Sequence, residues 1–164
     1  MTSSQTRLII TGGTLDKTYN DNTGSLEFSD SIISLLLERA RCSAEIEVEH
    51  LMQVDSLEMT HEQRDLIIQV VRKAKEERII ITHGTDTLVS TARLLENIKL
   101  NKTIVLVGAM VPWRFANSDA DFNIGYALGA CQSLGRGVWV TMNGKIFPAL
   151  RVCKNRELGR FEDL

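Results

Sequence analysis

Short apolar runs alternate with amphipathic stretches along this 164-residue chain. Most of the short runs are apolar at their centres, which is typical of strands buried in a parallel sheet. The run 45–51 alternates charged and apolar residues, which is typical of a strand that is covered on one face only. The predicted strands are 7–11, 45–51, 78–82, 103–107 and 137–142, and the last of these is the last clear strand.

The stretches between the strands carry apolar residues at helical spacing. Thr60, followed by Gln63 three residues later, forms a capping box that predicts a helix start. Ser118 is predicted to cap the last helix. The helices are expected at 32–40, after Thr60 as far as Ala74, at 88–98, and from Ser118 through Cys131. The stripe of the second helix comprises Leu66, Ile67, Val70, Val71 and Ala74.

A strand followed by a helix, repeated about four times, indicates an α/β fold of the flavodoxin-like kind. We expect a mainly parallel sheet with helices on both faces. The chain shows no internal repeat, low-complexity tract or linker, so a single domain over residues 1–164 is predicted.

Composition and charge exclude several classes of protein. A chain that is 43% hydrophobic and 24% charged is not intrinsically disordered. The 19 Lys and Arg against 21 Asp and Glu give a net charge of −2, which argues against a nucleic-acid partner. The longest apolar run, 104–111, is far shorter than the roughly 20 residues that span a bilayer, so no membrane partner is expected.

The amino-terminal residues and the cysteines favour a cytoplasmic location. Residues 1–5 are polar and show no secretory signal. The cysteines are odd in number and widely spaced, matching neither a disulfide framework nor a zinc pattern. They are Cys42, Cys131 and Cys153. Because the histidines and cysteines form no ligand set, neither a metal nor an organic cofactor is expected.

Three predicted strand ends carry hydroxyls and glycines, namely 11–14, 82–87 and 141–144. In a parallel sheet these ends converge at one edge, where ligands bind. Glycines there let backbone N–H groups approach a ligand closely. Gly12-Gly13 alone could be only a tight turn, and neither a dinucleotide fingerprint nor a P-loop is present.

The run His83-Gly84-Thr85-Asp86-Thr87 places two hydroxyls and a carboxylate in one turn. A threonine hydroxyl is a weak nucleophile until a base removes its proton, and a nearby neutral lysine could do so. Asp86 could hold that lysine, or it could be the N-cap of the next helix. His83 could be a base, but a lone histidine beside a glycine is more often structural than catalytic.

Thr11-Gly12-Gly13-Thr14 and the 83–87 run resemble the two signature motifs of the bacterial-type L-asparaginases, in their N-terminal catalytic domain. Residues 108–110, then 118–121 and Asn123, are similar to a third segment, and 140–143 followed by 151–154 to the strand and catalytic-lysine segment. The resemblance covers nearly the whole chain. It implies an amidohydrolase that cleaves the side-chain amide of asparagine, or a related small amide, through a threonine nucleophile.

The resemblance also assigns roles to residues. Thr14 matches the nucleophile, and Tyr19 matches the tyrosine that activates it. Thr85, Asp86 and Lys154 match the second catalytic group. Backbone N–H groups at the glycine turns would stabilise the oxyanion.

Asp55 and Ser56 look like the segment that grips the substrate's amino and carboxylate groups, together with Thr85 and Asp86. Other readings stay open. Tyr19 could be an ordinary loop aromatic, and Ser56 a turn residue. Lys154 could belong to a solvated basic face with Arg151, Arg156 and Arg160.

Asparaginases of this type usually carry a second, smaller C-terminal domain, and that of a neighbouring subunit helps to close the active site. This sequence stops at Leu164, so we expect the N-terminal-like domain with no C-terminal domain. A homodimer or higher homo-oligomer is expected, using the Trp113 loop and the helix near Ser118. The alternatives are a non-catalytic binding module for an acidic amino acid, and an interaction protein that uses residues 111–115.

Overall fold

Strands and helices alternate along residues 5–164, the part of the chain that this computed structural model describes. The strands are β1 (Thr6–Ile10), β2 (Lys17–Asn20), β3 (Ser25–Phe28), β4 (Ile46–His50), β5 (Arg78–Thr82), β6 (Thr103–Val107), β7 (Gly137–Met142), β8 (Lys145–Pro148), β9 (Val152–Asn155) and β10 (Arg160–Asp163). The helices are α1 (Ile33–Arg39), α2 (His61–Lys73), α3 (Leu88–Asn97) and α4 (Ala120–Ser133). The polar start that argued against a secretory signal lies, except for Gln5, outside the described residues.

A six-stranded sheet in the order β4-β1-β5-β6-β7-β8 forms the centre of the fold. All neighbouring pairs are parallel except β7 with β8. The register aligns Ile10 with Thr82, and Thr82 with Val107. Because these strands end level with one another, the loops that follow them start at the same edge of the sheet. The predicted α/β fold with a mainly parallel sheet is confirmed.

The central strands are covered on both faces, since successive residues of β5 and β6 are buried whichever way their side chains point. Helices α1 and α4 lie together, because residues of both line one cavity of about 360 Å³. Helices α2 and α3 meet where Arg64 donates to Thr87 Oγ1 at 2.9 Å. None of the helices within residues 5–164 is long and apolar enough to cross a membrane.

Helix boundaries follow the sequence signals closely. Thr60 and Gln63 form the predicted capping box at the start of α2. Leu66, predicted on the buried stripe, is instead exposed. The N-cap of α4 is Asp119 rather than Ser118, whose hydroxyl accepts the N–H of Ala120 at 3.1 Å.

The sequence predicts none of the three hairpins formed within residues 5–164, β2–β3, β7–β8 and β9–β10. Strands β2 and β3 pair between the predicted strand 7–11 and the predicted helix 32–40, where no element was predicted. The prediction that 137–142 is the last clear strand is wrong, because β8 continues the sheet and β9 pairs with β10. These strands have four residues each and include many exposed positions, so their apolar pattern is weak.

Candidate active site

Glycines bring the loops after β1, β4, β5 and β6 into backbone contact. A Cβ added to Gly13 would lie 2.5 Å from the Gly84 nitrogen, and one on Gly84 would lie 2.6 Å from Ser56 Cβ. A Cβ on Gly108 would lie 2.5 Å from the His83 carbonyl oxygen. Gly13 also has a φ of +95°, which side chains rarely allow. The absence of side chains at these positions is therefore what lets the four loops form one site.

Thr14 begins a single 3₁₀ turn, Thr14–Asp16, for which Gly13 is the N-cap. Leu15 and Asp16 are fully buried and anchor the turn, while Thr14 is half-buried. Asp16 Oδ1 accepts the N–H of Ile32 at 3.0 Å, just before α1. Burial raises the pKa of the Asp16 carboxyl above its ordinary value, although the bond from Ile32 opposes this. The buried residues of the turn therefore hold the backbone that carries the Thr14 hydroxyl.

Thr85, Asp86 and Lys154 form one hydrogen-bonded group. Lys154 Nζ, on β9, lies 2.8 Å from Thr85 Oγ1 and 3.0 Å from Asp86 Oδ1. The Lys154 side chain is only 12% exposed, so it does not belong to a solvated basic face. The N-cap of α3 is Thr87 rather than Asp86. The structure brings together the three residues that the sequence grouped by resemblance.

Arg156 also contacts Asp86, and this contact was not predicted from the sequence. Its Nη1 lies 3.1 Å from Asp86 Oδ1, the oxygen that also accepts from Lys154. Side chains two residues apart on a strand point to the same side. The spacing of Lys154 and Arg156 on either side of Asn155, at the end of β9, is the signal that could have found this contact.

Asp55 lies in the loop after β4 and is held by two donors. Lys17 Nζ lies 2.5 Å from its Oδ2, and the N–H of Leu57 donates to its Oδ1 at 3.0 Å. These bonds keep the pKa of the Asp55 carboxyl below its ordinary value, with Lys17 the larger cause. Lys17 stands three residues after Thr14, and nothing in its sequence context marked this pairing. The residue assigned to grip substrate is therefore already paired.

Ser56 connects the loops after β4 and β5 and is 2% exposed. Its Oγ accepts the N–H of Thr87 at 3.4 Å, and its carbonyl accepts the Thr87 hydroxyl at 2.8 Å. The buried Arg64 donates to the Met59 carbonyl at 2.6 Å and to Thr87 Oγ1, so it fixes the same loop. These bonds hold Ser56 in the site, where its side chain packs against Gly84.

Tyr19 is placed apart from this group. It lies on β2, is 57% exposed, and has its hydroxyl beside Gly24 in the turn of the β2–β3 hairpin. The hairpin starts directly after the Thr14 turn, so Tyr19 and Thr14 are joined by a short, partly exposed segment.

His83 braces the loop after β5. Its Nδ1 lies 2.8 Å from the Gly84 carbonyl oxygen, and its Nε2 lies 2.8 Å from Thr91 Oγ1 on α3. Because a carbonyl only accepts, Nδ1 carries the proton and Nε2 accepts from Thr91. Burial lowers the pKa of His83 to about 4. A neutral ring with both nitrogens occupied favours the structural interpretation of His83.

The segment before and within α4 fixes the loop after β6. Asp119 accepts the N–H groups of Met110 and Val111, each at 3.0 Å. Asn123 is buried and donates to the Gly108 carbonyl at 3.0 Å. These bonds hold Gly108 against Thr85, whose Cγ2 would lie 3.1 Å from an added Cβ.

Most of the chain matches one family of known proteins. The family model described as "Asparaginase, N-terminal" matches residues 6–160. The L-asparaginase of Thermococcus kodakarensis is 34% identical over 154 residues, covering 91% of this chain and 47% of that protein.

Solved structures show the same fold. The thermostable L-asparaginase from Thermococcus kodakarensis superposes with a TM-score of 0.86 at 31% identity, covering 98% of this chain and 51% of the other. A probable cytoplasmic L-asparaginase from Campylobacter jejuni gives a TM-score of 0.83 at 30% identity, with coverages of 98% and 53%. The chain thus spans about half the length of these relatives. It belongs to the asparaginase family, to whose N-terminal domain residues 6–160 correspond.

Proposed function

We propose that this chain hydrolyses the side-chain amide of asparagine, or of a related small amide, with Thr14 as the nucleophile. One observation carries the proposal: Lys154 lies within hydrogen-bond distance of both Thr85 and Asp86. This group sits at the glycine-braced edge where Thr14 is presented, because Gly13 and Gly84 touch. The names of its relatives, L-asparaginases, support the same chemistry.

In the proposed reaction, Thr14 Oγ attacks the amide carbon and its proton passes through the Thr85 hydroxyl to Lys154, which acts in its neutral form and is oriented by Asp86. Lys154 then returns this proton to the departing nitrogen. The C–N bond breaks, ammonia departs, and an ester to Thr14 remains. Water then hydrolyses this ester to a carboxylic acid. Backbone N–H groups at the glycine turns would stabilise the oxyanion in both steps.

Tyr19 is proposed to take part in activating Thr14, and Asp55 and Ser56 to help hold the substrate. Tyr19 is 57% exposed on the β2–β3 hairpin, which starts directly after the Thr14 turn. Tyr19→Phe removes only the hydroxyl. If Tyr19 activates Thr14, this variant loses most of kcat, whereas an ordinary loop aromatic would leave kcat unchanged.

The test is ammonia release from asparagine, glutamine and other small amides. Thr14→Ala is expected to reduce kcat/KM by several orders of magnitude, as removal of a nucleophile does. Thr18→Ala on β2 is the matched control and is expected to retain activity. Thermal stabilisation by aspartate without ammonia release would instead support a binding module.

We also propose a homodimer that uses the Trp113 loop and the start of α4. Phe122 on α4 is 61% exposed and Phe115 is 39% exposed, which is unfavourable in water. Trp113 itself stacks on Arg39 and donates from Nε1 to Asp121 at 2.6 Å. Sedimentation should show a dimer that Phe122→Glu dissociates, and a monomeric wild type at micromolar concentration would contradict this.

A cytoplasmic location is proposed because the three cysteines are free thiols, as in a reducing compartment. The Campylobacter jejuni neighbour is described as probably cytoplasmic. Fractionation of cells that make the protein tests this, and recovery outside the cytoplasm would contradict it.

A further inference from the structure

One oxygen of Asp86 is shared by two cations, Lys154 on β9 and Arg156 directly after it. Asp86 Oδ1 lies 3.0 Å from Lys154 Nζ and 3.1 Å from Arg156 Nη1. The two nitrogens are therefore no farther apart than these distances laid end to end, about 6 Å. The Lys154 side chain is 12% exposed, so water screens its interactions less than those of a surface lysine.

The proposed reaction uses Lys154 without its charge. An ammonium group has three donors and no acceptor, so only the neutral amine can take a proton from Thr85, whose Oγ1 lies 2.8 Å from Nζ. A carboxylate as close as Asp86 favours the ammonium form, because opposite charges stabilise each other. Asp86 thus orients Lys154 and at the same time opposes the form that the reaction needs.

Arg156 counteracts this second effect of Asp86. A guanidinium stays charged throughout the pH range in which proteins work, so Arg156 keeps a positive charge beside the shared oxygen. That charge disfavours another positive charge within about 6 Å, on Lys154. A neighbouring cation is one of the ways in which a catalytic lysine is kept neutral.

The other charged groups around Lys154 come from β10, α3 and the turn after β9. On β10 the buried, uncharged Phe161 lies opposite Lys154, and Asp163 shares its face at the exposed end of the strand. From α3, Arg93 donates to the Val152 carbonyl at 3.2 Å. The remaining charged residues of the hairpin are Glu157 in the turn, and Arg160 and Glu162 on the opposite face. Within residues 5–164, none of these side chains forms a hydrogen bond or ion pair with Lys154 Nζ.

We propose that Arg156 is a positioning residue that acts through Asp86 to oppose the protonation of Lys154, and so extends activity to lower pH. The proposal rests on the amide hydrolysis proposed above, in which neutral Lys154 receives the Thr14 proton. The contribution of Arg156 is greatest on the acid side of the pH profile, where Lys154 begins to bind a proton, and smaller at high pH.

The test measures ammonia release from asparagine between about pH 5 and pH 10. As the pH falls, kcat/KM should decline with the protonation of Lys154. In Arg156→Met the midpoint of this decline should move to higher pH by roughly 0.5–1 pH unit, the effect of one partly screened charge about 6 Å away. Arg156→Lys keeps the charge and should show less than half of this shift.

Arg160→Met is the matched control. It removes the same charge from the same hairpin at a similar exposure, 58%, but Arg160 pairs with Glu162 on the opposite face. Its midpoint should equal that of the wild type. Raising the ionic strength to about 0.5 M should shrink the difference between the wild type and Arg156→Met, because salt screens the charge of the exposed guanidinium.

A second measurement separates this proposal from amide hydrolysis itself. The carbon NMR shift of Lys154 Cε, assigned by its loss in Lys154→Met, reports protonation of the amine without any turnover. Its midpoint should also be higher in Arg156→Met than in the wild type. An unchanged midpoint in either measurement overturns the role of Arg156 and leaves amide hydrolysis standing. Absence of ammonia release that needs Thr14 overturns amide hydrolysis, and the NMR titration then decides whether Arg156 opposes the protonation of Lys154.

Discussion

Gly13 and Gly84 meet backbone to backbone, so that a Cβ on Gly13 would lie 2.5 Å from the Gly84 nitrogen. Each glycine directly precedes a threonine of the candidate site, Thr14 or Thr85. The distance between the two threonine backbones is therefore set by a contact that admits no side chain.

Gly13→Ala is expected to lower the free energy of unfolding by about 3 kcal/mol or more, because it combines an unfavourable positive φ with a backbone clash. Urea denaturation measures the change. Gly125→Ala on α4 is the control. Beyond its chain neighbours and the adjacent backbone of its own helix, its added methyl meets no atom of residues 5–164 within 4 Å, and alanine should stabilise the helix by up to about 1 kcal/mol. Equal stabilities of the two variants would contradict the account.

Lys154→Met should remove the proton acceptor beside Thr85 while filling the same partly buried space. We expect kcat to fall by roughly 10²-fold or more, the usual contribution of a general base. Lys145→Met on the exposed part of β8 serves as the control and should retain kcat. A Lys154→Met protein with normal kcat would show that the hydrogen bonds to Thr85 and Asp86 are structural.

His83 should make the protein less stable in acid. Burial lowers its pKa from 6.5 in the unfolded chain to about 4 in the folded one. As pH falls below 6.5 the unfolded state binds a proton that the folded state does not, so stability is lost until the pH passes about 4. The full loss corresponds to about 3 kcal/mol.

His83→Gln isolates this contribution, because glutamine retains hydrogen-bonding groups but does not titrate. Chemical denaturation of both proteins between pH 7 and pH 4 should show a shallower decline for the variant. Parallel curves would mean that His83 has the same pKa in the folded and unfolded states.

Asp16 should act in the opposite direction. Burial raises the pKa of the Asp16 carboxyl, so the folded state binds a proton more readily than the unfolded chain. The protonated carboxyl therefore contributes to the free energy of unfolding at low pH, and this stabilisation is lost as the pH rises through the folded pKa. Asp16→Asn keeps an oxygen to accept the Ile32 N–H. The stability of Asp16→Asn relative to wild type should therefore increase from pH 4 to pH 7, and a constant difference would contradict the shift.

The parallel sheet, the four helices and the capping box were predictable because each rests on local apolar spacing or on two residues three positions apart. Thr60 with Gln63 is such a signal. The hairpins were not predictable, because strands of four mixed residues derive their stability from pairing rather than from pattern.

The candidate site, too, could be predicted only in part from the sequence. Thr14, Thr85 and Asp86 stand in motifs at strand ends, so the parallel sheet predicts where they meet. The contact of Lys17 with Asp55 joins residues 38 positions apart through two side chains. Neither side chain has a sequence neighbour that indicates its partner, and only the folded chain shows that both are engaged.

Strand β1 is made before its two neighbours in the sheet, β4 and β5, and its Ile10 aligns with Thr82 of β5. Ribosomes add roughly 5–20 residues per second, which leaves this apolar strand without its second neighbour for several seconds. Such non-local pairing also slows folding. A nascent chain that ends before Thr82 has neither the centre of the sheet nor the contact between Gly13 and Gly84. The backbones of Thr14 and Thr85 can therefore be brought together only after the chain has been made beyond Thr85.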